Sequence, residues 1–235
     1  MMRKIVLILL LVTLGVSGIS AAPAAIHPEG RQDSHPIGSD PSDFRPEWFV
    51  QALGGVACTL GEADFIDLLS PAAQISAGCM FSRLLGARVA FCGWQARNVY
   101  NYPRFDYSWN YVRSNAEIVL DVTSLLAGWR QDRAVSLSLF AGGGAAVGFR
   151  NIEAARMRRN NPDFYGFGKL WTGTNIFWSA RVGIAVDVRL SGRLSLCLEA
   201  DAGIFPDDFN SKVGKNDGLD WQFNCLAGLK FGFGR

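Results

Sequence analysis

The sequence predicts an all-β fold, an eight-stranded antiparallel up-and-down transmembrane β-barrel, from three observations. Apolar and polar side chains alternate with period two along eight stretches, long polar connections alternate with tight turns between them, and aromatic side chains collect at both ends of the stretches.

The clearest stretch is 176–205, which reads as one hairpin with two unlike faces. Ile176, Trp178, Ala180, Val182, Ile184, Val186, Val188 and Leu190 line one face, and Phe177, Ser179, Arg181, Gly183, Ala185, Asp187 and Arg189 line the other. Beyond Ser191, Gly192 and Arg193 the pattern resumes, with Leu194, Leu196, Leu198, Ala200, Ala202 and Ile204 against Ser195, Cys197, Glu199, Asp201, Gly203 and Phe205. Residues opposite one another in an antiparallel pair share a face, so parity sets the register. A three-residue turn then places Leu190 opposite Leu194, Asp187 opposite Cys197 and Gly183 opposite Asp201, with Arg181 diagonal to Asp201.

Before the first strand, Arg3 and Lys4 precede an apolar run over 5–16 and a string of small residues. This pattern predicts a secretory signal peptide over 1–22. Residues 23–46 are rich in Pro, Asp, Ser and Gly, hold both histidines (His27 and His35), and read as a flexible periplasmic tail. The barrel is expected over 47–235. No later apolar run reaches the roughly 18–20 residues that a membrane-spanning helix needs. A formal net charge of +2 gives no electrostatic case for nucleic acid. The five cysteines fall at 58, 79, 92, 197 and 225, each inside a predicted strand, and five is odd. Free, buried or lipid-facing thiols are expected; the spacing fits no zinc pattern, and neither metal nor cofactor is expected.

In order, the predicted strands are 48–60, 73–82, 86–96, 112–125, 134–149, 176–190, 194–205 and the stretch from Leu219 onward. Long connections fall at 61–71, 97–111, 150–174 and 206–218, after every odd-numbered strand and therefore at one end. The second is rich in aromatics and the third is the longest.

A soluble barrel also alternates, so volume has to decide which face is inside. An eight-stranded barrel holds about one layer of side chains. The face rich in Gly, Ala and Ser with a few charges fits that space. Its charges nearly balance, Arg88, Arg181, Arg189 and Lys230 against Glu117, Asp121, Asp187, Glu199, Asp201 and Asp220. Sealed from lipid, they have to pair. A lumen ion-pair network of Arg88, Glu117, Asp121, Arg181, Asp187, Arg189, Glu199, Asp201 and Lys230 is therefore expected. Trp48, Trp129, Phe231 and Phe233 at the turn end, and Trp94, Tyr111, Trp178 and Trp221 at the loop end, read as two interfacial girdles.

Three segments also carry a resemblance: Trp48-Phe49-Val50-Gln51 with Gly54-Gly55, the run from Ala134 through Phe140 to Gly144, and the closing Gly228-Leu229-Lys230-Phe231-Gly232-Phe233. Over about 47–235 the chain resembles the transmembrane domain of outer membrane protein A-like proteins. The resemblance implies a bacterial outer-membrane barrel; with the chain stopping at Arg235, the peptidoglycan-binding domain that many such proteins carry is not expected.

Catalysis finds little support. Glu117 and Asp121 share a strand face and could do acid-base work, but carboxylates in a narrow barrel read more simply as ion-pair members. Some barrels of this size are enzymes that employ a histidine, and both histidines here lie in the tail, so no catalytic residue is assigned. Arg150, Arg156, Arg158, Arg159 and Lys169 in the third loop could meet lipopolysaccharide phosphates, although they read first as a solvated loop. Tyr100, Tyr102, Tyr107, Trp109 and Tyr111 could form a sugar- or protein-binding surface, and read first as membrane-interface anchors. The expected role is that of a non-enzymatic structural or surface-interaction barrel, with outer-membrane lipid and lipopolysaccharide as partners and any surface ligand held by the extracellular loops. The alternative is a narrow channel or small-ligand carrier.

Overall fold

The computed structural model describes residues 44–61, 63–101, 104–130, 132–160, 171–211 and 218–233. The expected signal peptide, most of the expected tail and both histidines lie outside them. Eight antiparallel strands, β1 (Glu47–Thr59), β2 (Leu69–Met80), β3 (Leu85–Asn101), β4 (Arg104–Asp121), β5 (Val135–Phe149), β6 (Asn175–Arg189), β7 (Leu194–Pro206) and β8 (Leu219–Phe233), pair in sequence order and close by β8 pairing with β1. Among the described residues two helices interrupt the connections, α1 (Val122–Ala127) and α2 (Ile152–Asn160).

Alternation settles the faces. Outward Ile176 is 76% exposed and Ile118 64%, whereas inward Arg181 and Glu199 are each 2% exposed. The apolar face is outside and the charged face inside. The β6–β7 register is the one parity predicts, Asp187 opposite Cys197 and Gly183 opposite Asp201.

One register row explains how the interior is filled. From Phe49 on β1 it runs through Gly78, Arg88, Glu117, Gly142, Arg181, Gly203 and Gln222, and returns to β1 at Thr59, further along the strand. The stagger is the shear that closure requires. Along this row glycine recurs between large side chains. A Cβ on Gly78 would lie 2.6 Å from the Phe49 ring, and one on Gly142 would press into the β4 backbone at Ala116 and Glu117. Arg181 and Glu117 meet across β5 at 3.0 Å, over the rung position that Gly142 occupies.

Several boundaries differ from the expected ones. β2 starts at Leu69 and includes Pro71, which pairs with Val56 on β1. Pairing with β3 begins only at Ala72, so the missing Pro71 N–H interrupts no ladder on that side. β3 and β4 continue through most of the expected 97–111 loop and pair as far as Asn101 opposite Arg104. β4 ends at Asp121, not at 125, because the Asp121 carboxylate accepts from the Ser124 N–H (2.9 Å) and Oγ (2.6 Å) and so caps α1. The expected loop 150–174 contains α2, fastened by Glu153, whose carboxylate accepts from the Ser108 N–H at 2.7 Å.

The rung geometry predicts a contrast between two glycines. Gly142→Ala should destabilise the barrel by about 1–3 kcal/mol, the usual cost of overpacking. Gly54→Ala, where a Cβ would meet nothing within 4 Å, should be neutral. Chemical unfolding in lipid vesicles measures both.

Candidate functional site

Inside the barrel the side chains form two layers of different chemistry. In the middle, Arg88, Arg113 and Arg181 face Glu117, Glu199 and Asp201, three cations against three anions. Arg88 reaches Glu117 at 2.6 Å and Glu199 at 2.5 Å. Arg181 touches all three carboxylates, Glu117 at 3.0 Å, Glu199 at 3.2 Å and Asp201 at 2.7 Å. Arg113 approaches Asp201 at 3.4 Å, and Asn224 donates to the same carboxylate at 2.8 Å. Gln51 and Gln74 both donate to Glu199, and Ser76 donates to Gln51. Phe140 lies under both forks, with the guanidinium carbons of Arg88 and Arg181 at 4.2 Å and 4.8 Å from its ring centroid. Such stacking favours weakly hydrated guanidinium over ammonium.

Of the expected network, Arg88, Glu117, Arg181, Glu199 and Asp201 therefore meet in one cluster. Lys230 and Asp187 form a separate pair at 2.7 Å toward the turn end, with the Lys230 ammonium 4.4 Å from the Phe49 ring centroid. Arg189 is the last residue of β6, half-buried at the turn. Asp121 caps α1 rather than bonding the cluster. Asp220 is buried at the loop end, where it accepts from the Asn210 backbone N–H (2.9 Å) and side chain (2.6 Å). The reading from sequence missed Arg113, although its odd number places it on the face of Asn115 and Glu117.

Above the charges sits an aromatic lid. Tyr107, Trp109, Tyr111, Trp171, Phe177, Phe205 and Phe209 form one buried cluster with Ala96, Ala146 and Ala154 of α2. Phe209 is its hub, stacked on Phe205 at 4.1 Å and edge-on to Trp109, Tyr111 and Phe177 at 5.5 Å each. Hydrogen bonds hold the turn that carries it. Tyr107 Oη donates to the Asn210 carbonyl at 2.6 Å, Trp171 Nε1 donates to the Phe209 carbonyl at 3.3 Å, and Asn151 donates to Ser211 Oγ at 2.8 Å. Tyr111 Oη donates to Gln222 at 2.7 Å.

This corrects the expected role of the second loop. Tyr107, Trp109 and Tyr111 are neither interfacial anchors nor an exposed binding surface, because they point inward and are at most 2% exposed. Their outward neighbours Asp106, Ser108 and Asn110 are polar, whereas Val112, Ile118 and Leu120 further along β4 are apolar. The apolar belt ends near Val112, and the rest of the hairpin extends past it. Trp94 and Trp178 are exposed as expected, at 59% and 50%. Tyr102 and Lys169 lie outside the described residues, as does the side chain of Arg158. Arg150, Arg156 and Arg159 are exposed around α2.

All five cysteines are free, with Cys58, Cys92 and Cys197 buried and Cys225 exposed on the outer face. Among the described residues no three His, Cys, Asp or Glu side chains are placed so that they could hold a metal ion.

No protein-family model matches the chain, and no curated protein matches it. Solved structures do match. Neisserial surface protein A is 14% identical, with 79% of this chain and 97% of that chain covered and a TM-score of 0.50. The outer membrane protein OprG from Pseudomonas aeruginosa is 7% identical, with 80% and 96% covered and a TM-score of 0.50. The chain has the eight-stranded outer-membrane barrel fold. At these identities the likeness is one of fold alone.

The central cluster should behave as one unit. Arg181→Ala strips a donor from three buried carboxylates and should cost about 3–5 kcal/mol. Adding Asp201→Ala should recover only part of that, because Glu117 and Glu199 stay short of a donor. Urea unfolding of the wild type, both single variants and the double variant in lipid vesicles checks this; a cost below about 1 kcal/mol for Arg181→Ala, the range of exposed pairs, would mean that the cluster is wet.

Proposed function

We propose that this protein is a structural or surface-interaction barrel of the bacterial outer membrane, non-enzymatic, with any specificity carried by its loop-end surface. The observation that carries the reading is the double filling of the barrel, a charge-balanced polar layer under a hydrogen-bonded aromatic lid. Conduction requires a path through both layers. Opening one would separate guanidiniums from carboxylates that are buried on every side, which typically costs several kcal/mol per pair.

The same geometry argues against acid-base catalysis. Glu199 already accepts from Arg88, Arg181, Gln51 and Gln74, and Glu117 from Arg88 and Arg181. A carboxylate so occupied has no lone pair aimed at a substrate proton, and geometry is the first requirement for a general base.

On this reading the outward belt, with Trp48, Phe231 and Phe233 at one end and Trp94, Trp178 and Trp221 at the other, meets outer-membrane lipid, with lipopolysaccharide on the loop side. Asp106, Ser108 and Asn110 on the extended hairpin, with Arg150, Arg156 and Arg159 near α2, form the surface offered to a ligand outside.

Two measurements test the proposal. The chain should fractionate with outer membranes and migrate on gels in a heat-dependent way; recovery as a soluble periplasmic protein would overturn it. In planar bilayers it should give no sustained conductance steps, and steps abolished by changing the lumen arginines would favour the channel instead.

A further inference from the structure

α1 occupies a connection where a tight turn would suffice, and it is built with more bonds than a turn requires. Asp121 caps it. Thr123 Oγ1 accepts from the Leu137 N–H at 2.6 Å and donates to the Leu137 carbonyl at 3.4 Å, taking up the ladder groups of β5 just beyond the point where β4 stops. Ser124, on the far side of the helix, is 5% exposed and bonded to Asp121. Arg133 donates to the Gly128 carbonyl behind the helix.

These contacts hold two leucines out of the protein. Leu125 is 54% exposed and Leu126 81%. Val122, Leu125 and Leu126 stand at i, i+3 and i+4 and so share one helix face. That face is the continuation of the outer wall, because the outward alternation Ile118, Leu120 on β4 runs directly into Val122. The next residues are those of a membrane interface. Trp129 carries the Arg83 guanidinium 5.4 Å from its ring centroid and Phe44 at 5.9 Å, and Arg130 and Arg133 follow with Asp132 between them.

We propose that α1 is an interfacial foot. It inserts Leu125 and Leu126 into the phospholipid leaflet at the turn end of the barrel and holds Arg83, Arg130 and Arg133 at the level of the lipid phosphates. The occupant is a glycerophospholipid surface and not a protein groove, because the apolar face is continuous with the belt that already faces lipid and its basic flank matches anionic headgroups. The inference rests on the outer-membrane reading above.

A photoreactive diazirine amino acid placed at position 126 of the full chain, in cells, tests it. The same residue at position 118 serves as the belt reference and at position 106 as the water reference, and each chain is first shown to retain heat-dependent gel mobility. The expected result is a glycerophospholipid adduct at 126 and 118 and none at 106. A protein adduct at 126, a lipopolysaccharide adduct there, or no adduct, with lipid still captured at 118, would overturn the foot and leave the barrel in its membrane. No lipid at either 118 or 126 would overturn the membrane reading and the foot together.

Discussion

Most of this architecture depends on one constraint: three guanidiniums and three carboxylates share a space about one side chain deep. Neither sign can be left over, because an unpaired buried charge costs several kcal/mol. Spanning the lumen takes long side chains, and long side chains need gaps. Gly78, Gly142 and Gly203 supply the gaps on the same row as Arg88, Glu117 and Arg181. Arginine suits the task where lysine would not, since one planar fork reaches two or three carboxylates at once. Arg181 does this, while Lys230, nearer the turn end, pairs with Asp187.

Parity made much of this legible in the sequence. The alternation of 176–205 predicts which residues face inward, and a three-residue turn gives the register that places Arg181 beside Asp201. Parity does not say which inward charges touch, because that depends on shear and rotamer. Asp121 and Lys230 both lie on the charged face, yet one caps a helix and the other pairs near the rim. α1 was hidden by its own outward residues, since Val122 continues the β4 alternation, and the only contrary signal is an Asp followed three residues later by a Ser it can cap. The lid was hidden for a related reason. An aromatic above the belt reads as an interfacial anchor unless its neighbours are weighed, and the odd-numbered Tyr107, Trp109 and Tyr111 stand between the polar Asp106, Ser108 and Asn110. The inside of the hairpin is apolar where the inside of the barrel is polar, so the sense of the pattern inverts near Val112 without any change of period.

The two interior layers contribute differently. The aromatic lid buries large apolar area and is anchored by the Tyr107 hydroxyl, the Trp171 indole and the Asn151 amide, each of which meets a carbonyl or side-chain acceptor. The charged layer gains little net free energy after desolvation, but it penalises every misplacement: a strand slipped by one residue would turn its charges outward and leave their partners unpaired. Stability comes mainly from the one and uniqueness of register from the other.

That division bears on where a surface function can reside. The wall needs only to be apolar outside and correctly registered inside, and both demands are met below Val112. Above it the β3–β4 hairpin is braced by the lid from within and by Glu153 of α2, which accepts from Ser108, from the side, so its backbone is held while Arg97, Arg104 and Asp106 face out and bear no part of the barrel packing. Arg104 instead pairs with Asp67 of the neighbouring connection at 2.8 Å, an exposed bond of small energetic value. A rigid platform whose outward residues are structurally unconstrained can change its surface chemistry without refolding, and for that reason the loop-end hairpin, not the filled lumen, is where this fold has room for specificity.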